Sequence, residues 1–309
     1  MVRKIDPPNT VQIELTEGCN LMCQFCGVNG IRSSAGNFNF MNEKTIKIIK
    51  EQLETLNCRL LFAMHGEPTF NKNMVNFINM FEGKSIALLT NGANLKKHLS
   101  KLLNSNVPII IGIDDYLHNK NSKILKALLN KENIEYHEYP KEKGYNPHNI
   151  KISKTVIIFL QDIKLRRDVK INSHCGAGTR PPVKPIEARC AKPFREISIR
   201  WDGNVSLCCN DFRGVYKIGN VNEKNIIELW ESEKFESARK MLYHKNRNFS
   251  PCKYCNATSF RVGLLPDRMG KQTMDMPNEK DLEIINTCIS GEPFSNINFR
   301  NWEKINKCL

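Results

Sequence analysis

The chain has 309 residues, 40% hydrophobic and 25% charged, a balance ordinary for a soluble globular protein. Its 46 Lys and Arg against 32 Asp and Glu give +14, but the basic residues are scattered, so the charge permits a nucleic-acid partner without requiring one. No stretch approaches the ~18 apolar residues of a membrane span, MVRKIDPPNT has no signal-peptide run, and twelve cysteines without an export signal predict metal or redox chemistry in a reducing cytoplasm, not a disulfide scaffold.

In chain order, VQIEL (11–15) predicts a strand running into a cysteine-bearing loop. MNEKTIKIIKEQLETL places Ile46, Ile49, Leu53 and Leu56 at helical spacing. RLLFAM (59–64) predicts a second strand, followed by a helix around MVNFINMF. SIALLT (85–90) predicts a third, then LKKHLSKLL, with Leu95, Leu99, Leu102 and Leu103 on one stripe. PIIIGI (108–113) and KILKALL form a fourth pair, and IEYHEY (134–139) and TVIIFL (155–160) predict strands five and six. The segment between those two, with Gly144 and Pro147, makes a poor helix.

Nearly all-apolar strands separated by amphipathic helices predict an α/β fold with a parallel sheet covered by helices. Six such units suit an open, partial (β/α)6 TIM-like barrel better than a closed eight-unit one. Chemistry in that architecture gathers at the carboxyl ends of the strands. TEGCNLMCQFC, HGEP and TNGAN each follow a predicted strand.

From about residue 170 the character changes. GAGTRPPVKPIEA (176–188) reads as a linker. REISIRWDGNVSLCC predicts a β-hairpin turning at Asp202-Gly203, followed by one amphipathic helix over NIIELWESEKFESARKML and then PCKYC. The expected division is a barrel over 1–170, a linker over 171–189, a hairpin-plus-helix auxiliary domain over 190–256, and a C-terminal extension over 257–309 with no assigned role.

Two cysteine sets carry the chemistry. Cys19, Cys23 and Cys26 have CxxxCxxC spacing with no fourth Cys or His nearby. Thiolates suit zinc, copper(I) or iron–sulfur clusters. A structural zinc site wants four closed ligands, whereas three thiolates on a [4Fe–4S] cube leave one iron open. A zinc set completed from a distance is the alternative that spacing leaves standing. The second set is Cys190, Cys208, Cys252 and Cys255. Four thiolates fully ligate a further cluster or make a four-cysteine zinc site, and chemistry alone does not divide the two.

Cys19-x3-Cys23-x2-Cys26, with the aromatic Phe25 before the third cysteine, resembles the radical S-adenosylmethionine (SAM) superfamily. The resemblance implies a [4Fe–4S] cluster whose unique iron chelates the amino and carboxylate groups of SAM. It also implies reductive cleavage to methionine and a 5′-deoxyadenosyl radical that abstracts a substrate hydrogen. HGEPTF (65–70) stands where the superfamily has its Gly-Gly-Glu-Pro-like motif. There Gly66 lets the backbone come close, and Glu67 is expected to accept from the methionine ammonium. His65 replaces the usual first glycine, and no role is read into it. Asn91 of TNG is expected to reach the cofactor, or else simply to shape a tight turn. In IGIDD, Gly112 takes a place where relatives often carry Ser, and Asp114 takes the Asp place.

The stretch from Cys190 to Cys255 resembles the twitch or SPASM-type auxiliary-cluster domain, whose Gly-x-Val-x-x-Cys signature favours Cys208 over Cys209 as ligand. After Cys255 only Cys288 and Cys308 remain, so the resemblance is to the short version with a single auxiliary [4Fe–4S] cluster. The remaining thiols are Cys58, read as a buried hydrophobe, Cys209, and Cys175 beside His174. For Cys175 a structural role is expected, with hydrogen return to a substrate radical as the alternative.

A fully ligated auxiliary cluster has no open iron and most simply moves electrons. Together these features predict a radical SAM oxidoreductase that oxidises a small metabolite, such as an aminocyclitol or sugar, by two electrons. The first cluster would be served by an electron donor such as flavodoxin or ferredoxin. Asp114, Asp115 and His174 are candidate bases, and nothing selects among them. The alternatives are modification of a ribosomal peptide (oxidation, epimerisation or crosslinking), modification of nucleic acid, and a non-catalytic Fe–S or zinc protein. Against the peptide reading, the first strand begins by residue 11, which leaves no room for an N-terminal recognition domain. Against the last, Glu67 after a strand has no purpose in an inert metal module.

Overall fold

The computed structural model describes residues 5, 7–23, 26–32, 34–105, 107, 109–115, 120–135, 137–138, 147–151, 156–162, 173–178, 182, 184–190 and 192–257, with backbone alone at 114–115, 120–122, 137–138, 147–151 and 156–162. Phe25, Cys288 and Cys308 lie outside these residues, as do the side chains of Asp114 and Asp115.

The elements run β1 (Thr10–Ile13), β2 (Thr16–Glu17), β3 (Asn39–Phe40), α1 (Glu43–Leu53), β4 (Arg59–Phe62), α2 (Met74–Asn79), β5 (Ser85–Thr90) and α3 (Leu95–Leu103). There follow β6 (Ile109–Asp115), α4 (Lys120–Lys131), β7 (His137–Glu138), β8 (Pro147–Lys151) and β9 (Val156–Asp162). The last part holds β10 (Glu196–Ile199), β11 (Asn204–Ser206), β12 (Lys217–Asn220), α5 (Ile226–Trp230) and α6 (Glu233–Tyr243).

One ten-stranded sheet has the order β12-β11-β10-β1-β4-β5-β6-β9-β8-β7. Its middle is parallel: β1 pairs β4 with Val11 opposite Leu60, β5 pairs β6, and β6 pairs β9 with Ile111 opposite Ile158. The parallel barrel sheet and its covering helices are thus as the hydrophobic pattern predicts. Val11, Ile13, Leu60, Phe62, Ile86, Leu88, Ile109 and Ile111 are buried against the stripes Ile46, Ile49, Leu53 of α1 and Leu95, Leu99, Leu102 of α3. Helix α1 starts where Asn42 accepts the Thr45 N–H at 2.8 Å, an N-cap that supplies a partner to an otherwise orphaned donor.

Three features depart from the sequence reading. Strand β9 pairs directly with β6, and residues 137–138 and 147–151 lie outside it as two antiparallel strands, β7 and β8. Pro147 opens β8, a place where its missing N–H is tolerated. The sixth parallel strand is β10, which pairs with β1 on the opposite side, Thr10 facing Glu196. The hairpin β10–β11 turning at Asp202-Gly203 therefore continues the barrel sheet. The single helix expected over 225–242 is two helices, because Ser232 caps α6 by accepting from the Phe235 N–H.

Candidate functional site

The loop after β1 leaves and returns through a two-strand ribbon, Thr16 opposite Phe40 and Glu17 opposite Asn39. The three thiols Cys19, Cys23 and Cys26 lie on this excursion. Arg32 braces it by donating to the carbonyls of Cys19 and Leu21, and the Cys26 N–H closes a turn onto the Cys23 carbonyl at 2.9 Å. Burial, with Cys26 and Cys19 nearby, pushes the Cys23 thiol up to about 11. Iron ligation would relieve that crowding, since a coordinated thiol is deprotonated.

The second loop is zipped to the first. Gly18 N–H donates to the His65 carbonyl at 3.1 Å and Glu67 N–H to the Gly18 carbonyl at 2.9 Å, forming a parallel bridge between Gly18 and Gly66. A Cβ on Gly66 would lie 2.2 Å from the Thr16 carbonyl oxygen and 2.5 Å from that of Gly18. Gly66 thus lets the two site loops meet.

Glu67 is 2% exposed. Its Oε1 accepts from the Thr69 N–H (3.0 Å), the Thr69 hydroxyl (2.5 Å) and the Thr90 hydroxyl, and its Oε2 accepts from the Asn91 N–H at 2.6 Å. Burial raises its carboxyl above the ordinary range, while the hydroxyl and N–H donors of Thr69, Thr90 and Asn91 pull it back. Asn91 Nδ2 donates to Cys19 Sγ at 3.4 Å and to Asn20 Oδ1 at 2.9 Å. The ends of β4 and β5 therefore converge on the cysteine loop through Glu67 and Asn91. Asp114 stands at the carboxyl end of β6, opposite Gln161 of β9. A Cβ at position 112 would lie 2.7 Å from the tip of the exposed Leu89 side chain, which is free to turn aside.

His65, to which the sequence assigned nothing, is fully buried. Its Nδ1 lies 2.7 Å from Glu14 Oε1, off the axis of an ideal hydrogen bond, and its Nε2 lies 2.9 Å from the Cys209 carbonyl. Burial alone would raise the Glu14 carboxyl; His65, Arg200 and the Trp201 N–H hold it below the ordinary range. Its two ring nitrogens face a carboxylate on one side and a carbonyl on the other. The signal in the sequence was its departure from glycine.

At the second site Cys190, Cys208, Cys252 and Cys255 gather with a fifth buried thiol, Cys175, which the neighbouring Cys208 and Cys255 thiols push well above its ordinary range. Cys255 is held down to about 6, chiefly by the Cys175 thiol. Burial, then Cys208, Cys190 and Cys255, push Cys252 well up. Arg247 pins the framework: Nε donates to the Ala188 carbonyl (2.9 Å), Nη2 to that of Arg189 (3.1 Å) and Nη1 to that of Ala257 (3.1 Å). It thereby joins the segment before Cys190 to the one after Cys255. Cys209 points away to Lys192 Nζ at 3.3 Å, and Lys192 also pairs with Glu196. Among the described residues no three His, Cys, Asp or Glu side chains close on a single metal ion. The soft, crowded thiols of each set fit a cube whose thiolates bind separate irons.

Cys58 is buried in the core. His174 accepts the Gly27 N–H at Nδ1 (2.9 Å), beside Cys26, which gives it a structural task.

A model of the radical SAM superfamily matches residues 13–163, and a model of an iron–sulfur cluster-binding domain, SPASM, matches 190–256. The S-adenosyl-L-methionine-dependent 2-deoxy-scyllo-inosamine dehydrogenase of Niallia circulans is 26% identical over 261 residues, 82% of this chain and 94% of that one. A GTP 3′,8-cyclase of Aquifex aeolicus is 27% identical over 164 residues, 49% of this chain and 48% of that one. In fold the chain is similar to BtrN, solved in complex with AdoMet and 2-DOIA, with a TM-score of 0.61 and 23% identity over 82% of this chain and 95% of that one. The chain belongs to the radical SAM superfamily: it is an enzyme whose barrel takes a [4Fe–4S] cluster and SAM, with a SPASM domain for auxiliary iron–sulfur chemistry.

Proposed function

We propose that this enzyme removes two electrons and two protons from a small hydroxyl-bearing metabolite, an aminocyclitol or sugar, as a dehydrogenase. The observation that carries the reading is the gathering of four thiols, Cys190, Cys208, Cys252 and Cys255, which we read as one closed ligand set. Such a set leaves no ligand position for substrate and is suited to electron transfer. The 94% coverage of a relative named as a 2-deoxy-scyllo-inosamine dehydrogenase supports the substrate class.

In this reading Cys19, Cys23 and Cys26 hold the first cluster. Phe25, Gly66, Glu67, Asn91 and Asp114 bind SAM, with Oε2 of Glu67 keeping acceptor capacity for an ammonium. Loaded with SAM, that site supplies a 5′-deoxyadenosyl radical. The chain's own residues orient the two site loops: Gly66 by close approach, Asn91 by its bond to Cys19, and Glu67 by gathering Thr69, Thr90 and Asn91. Cys175 is buried beside the auxiliary thiols, which supports oxidation over an epimerisation in which it returns hydrogen. We assign the barrel to 1–170, a linker to 171–189, the auxiliary domain to 190–256 and an extension to 257–309. Reducing cytoplasm and a flavodoxin or ferredoxin donor suit such clusters. No helix among the described residues is long and apolar enough to cross a membrane.

The test is anaerobic turnover of the reconstituted, reduced enzyme with SAM and 2-deoxy-scyllo-inosamine, read by mass spectrometry. The expected result is one 5′-deoxyadenosine for each substrate molecule that loses two hydrogens. Formation of 5′-deoxyadenosine with aminocyclitols and sugars all recovered unchanged would overturn the substrate class.

A further inference from the structure

The first site carries an exposed apolar ladder. Phe40, on the return strand β3, is 42% exposed. Phe38 stacks on two other rings, 5.9 Å from Phe40 at 21° and 4.5 Å from Phe70 at 15°. Phe70 closes the turn after Glu67, its N–H donating to the Glu67 carbonyl at 3.2 Å. The arm bearing Phe38 and Phe40 is tied to the cysteine loop at two points. Gly36 N–H donates to the Cys19 carbonyl at 3.1 Å, and Asn39 Nδ2 donates to Glu17 Oε2 at 3.0 Å. The ladder thus bridges the two loops of the first site.

The segments around it are basic. Residues 36–47, 68–73 and 92–98 carry the arm, the Phe70 turn and the start of α3. They hold five lysines and one carboxylate, Glu43, which pairs with Lys47 at 2.7 Å. His98 Nε2, 2.9 Å from the Thr69 carbonyl, fastens the start of α3 beside the Phe70 turn. Lys44, Lys72, Lys96 and Lys97 are exposed and form no ion pair among the described residues. Each follows a piece of the first site by a few positions: Lys72 follows Glu67, Lys96 and Lys97 follow Asn91, and Lys44 follows the arm bonded to Cys19. An apolar patch rimmed by charge of one sign is the form of a transient docking face. Its rings supply contact, and its charge steers a partner of opposite sign.

We propose that this face, the ladder of Phe38, Phe40 and Phe70 rimmed by Lys44, Lys72, Lys96 and Lys97, docks an acidic one-electron carrier protein. The docked carrier gives up one electron and is oxidised. The cube bound by Cys19, Cys23 and Cys26 gains that electron and is reduced. The place suits the task because the arm and the Phe70 turn are hydrogen-bonded directly to the loops of Cys19 and Glu67. Nucleic acid is the other polyanion a basic face attracts, but bases stack on free aromatic rings, and these rings stack on one another. Contacts between redox partners are small and steered by charge, which fits a patch of three rings and four lysines.

The proposal rests on the radical reading of the first site, and a small chemical reductant separates the two. Wild type and the double variants Lys44→Glu/Lys72→Glu and Lys96→Glu/Lys97→Glu are reconstituted anaerobically. Flavodoxin, as the acidic carrier, is titrated onto each by calorimetry, and 5′-deoxyadenosine formation from SAM is followed with flavodoxin or with dithionite. Both variants are expected to bind flavodoxin about tenfold more weakly and, below saturation, to form 5′-deoxyadenosine about tenfold more slowly with it. With dithionite they should match wild type. Wild-type binding should also weaken at ~1 M salt, where the screening length is about 3 Å, and the variants should respond less. Phe40→Ser should weaken flavodoxin binding without changing its salt dependence. Flavodoxin affinity equal in wild type and both lysine variants overturns the proposal, as does a wild type that does not bind it. An equal loss of rate with both reductants also overturns it, by making the lysines part of the first site's own architecture. Tight binding of a single-stranded oligonucleotide that the lysine variants abolish would give the face to nucleic acid instead. A wild type that forms no 5′-deoxyadenosine with dithionite would remove the radical reading beneath the proposal, whatever its affinity for flavodoxin.

Discussion

His65 Nε2 lies 2.9 Å from the carbonyl oxygen of Cys209, a contact that spans 144 positions of sequence and joins the loop of Gly66 and Glu67 to the hairpin bearing Cys208. The other ring nitrogen faces Glu14, and the ring packs 4.2 Å from that of Phe212. The residue in front of Gly66 is therefore a tie between the barrel mouth and the auxiliary domain.

Replacing His65 with the glycine usual in the superfamily should destabilise this chain. It leaves the buried Glu14 carboxylate to Arg200 and to backbone N–H groups such as that of Trp201, and the loss of a buried polar partner costs about 1–3 kcal/mol. Urea unfolding of the metal-free protein measures the loss. A change below ~1 kcal/mol would show that the pair carries no such weight.

Acid should reveal Glu14. Its folded carboxyl sits below the ordinary range, so its stabilisation is complete above the unfolded value and drains away as pH falls through the folded one. Unfolding free energies of wild type and Glu14→Gln should therefore differ most near neutrality and converge toward about pH 3. Parallel curves across that range would count against the assignment.

Gly66→Ala should separate the two sites. Its Cβ would meet two backbone oxygens that cannot swing aside, at a cost of about 1–3 kcal/mol. The first cluster should be lost and the auxiliary one kept, so reconstituted iron should fall from about eight to about four. Retention of SAM cleavage by this variant would show that the loops separate without consequence.

Arg247→Met is the mirror experiment. Three carbonyls, from Ala188, Arg189 and Ala257, lose their donor at about 1–3 kcal/mol for each left buried. The segments holding Cys190 and Cys255 then part. The expected phenotype is loss of the auxiliary cluster, with 5′-deoxyadenosine still formed but no longer matched by oxidised substrate. Tight coupling in this variant would mean the framework closes without the guanidinium.

The sequence by itself determined what depends on neighbours along the chain. Apolar runs mark β1, β4, β5, β6 and β9 because the strands of a helix-covered parallel sheet read as near-continuous apolar stretches. Stripes on α1 and α3 mark helices because residues three and four apart share a face. Asp202-Gly203 marks the β10–β11 hairpin because Gly203 takes φ +83 at the turn. The CxxxCxxC spacing is legible for the same reason: all three thiols ride one short loop.

Only the tertiary structure decided which distant segments meet. Pairing of β10 with β1 fuses the auxiliary hairpin to the barrel sheet, and no local pattern records an edge partner. The strand expected over 134–139 appears as the short edge strand β7, whereas β8 escaped notice because so short an antiparallel strand lacks the periodicity of longer ones. His65 looked like a harmless replacement for glycine, and Arg247 drew no reading at all. Each acquires its task from partners tens to well over a hundred residues away. Burial makes those partnerships matter, because a charge or donor withdrawn from water must find its complement inside.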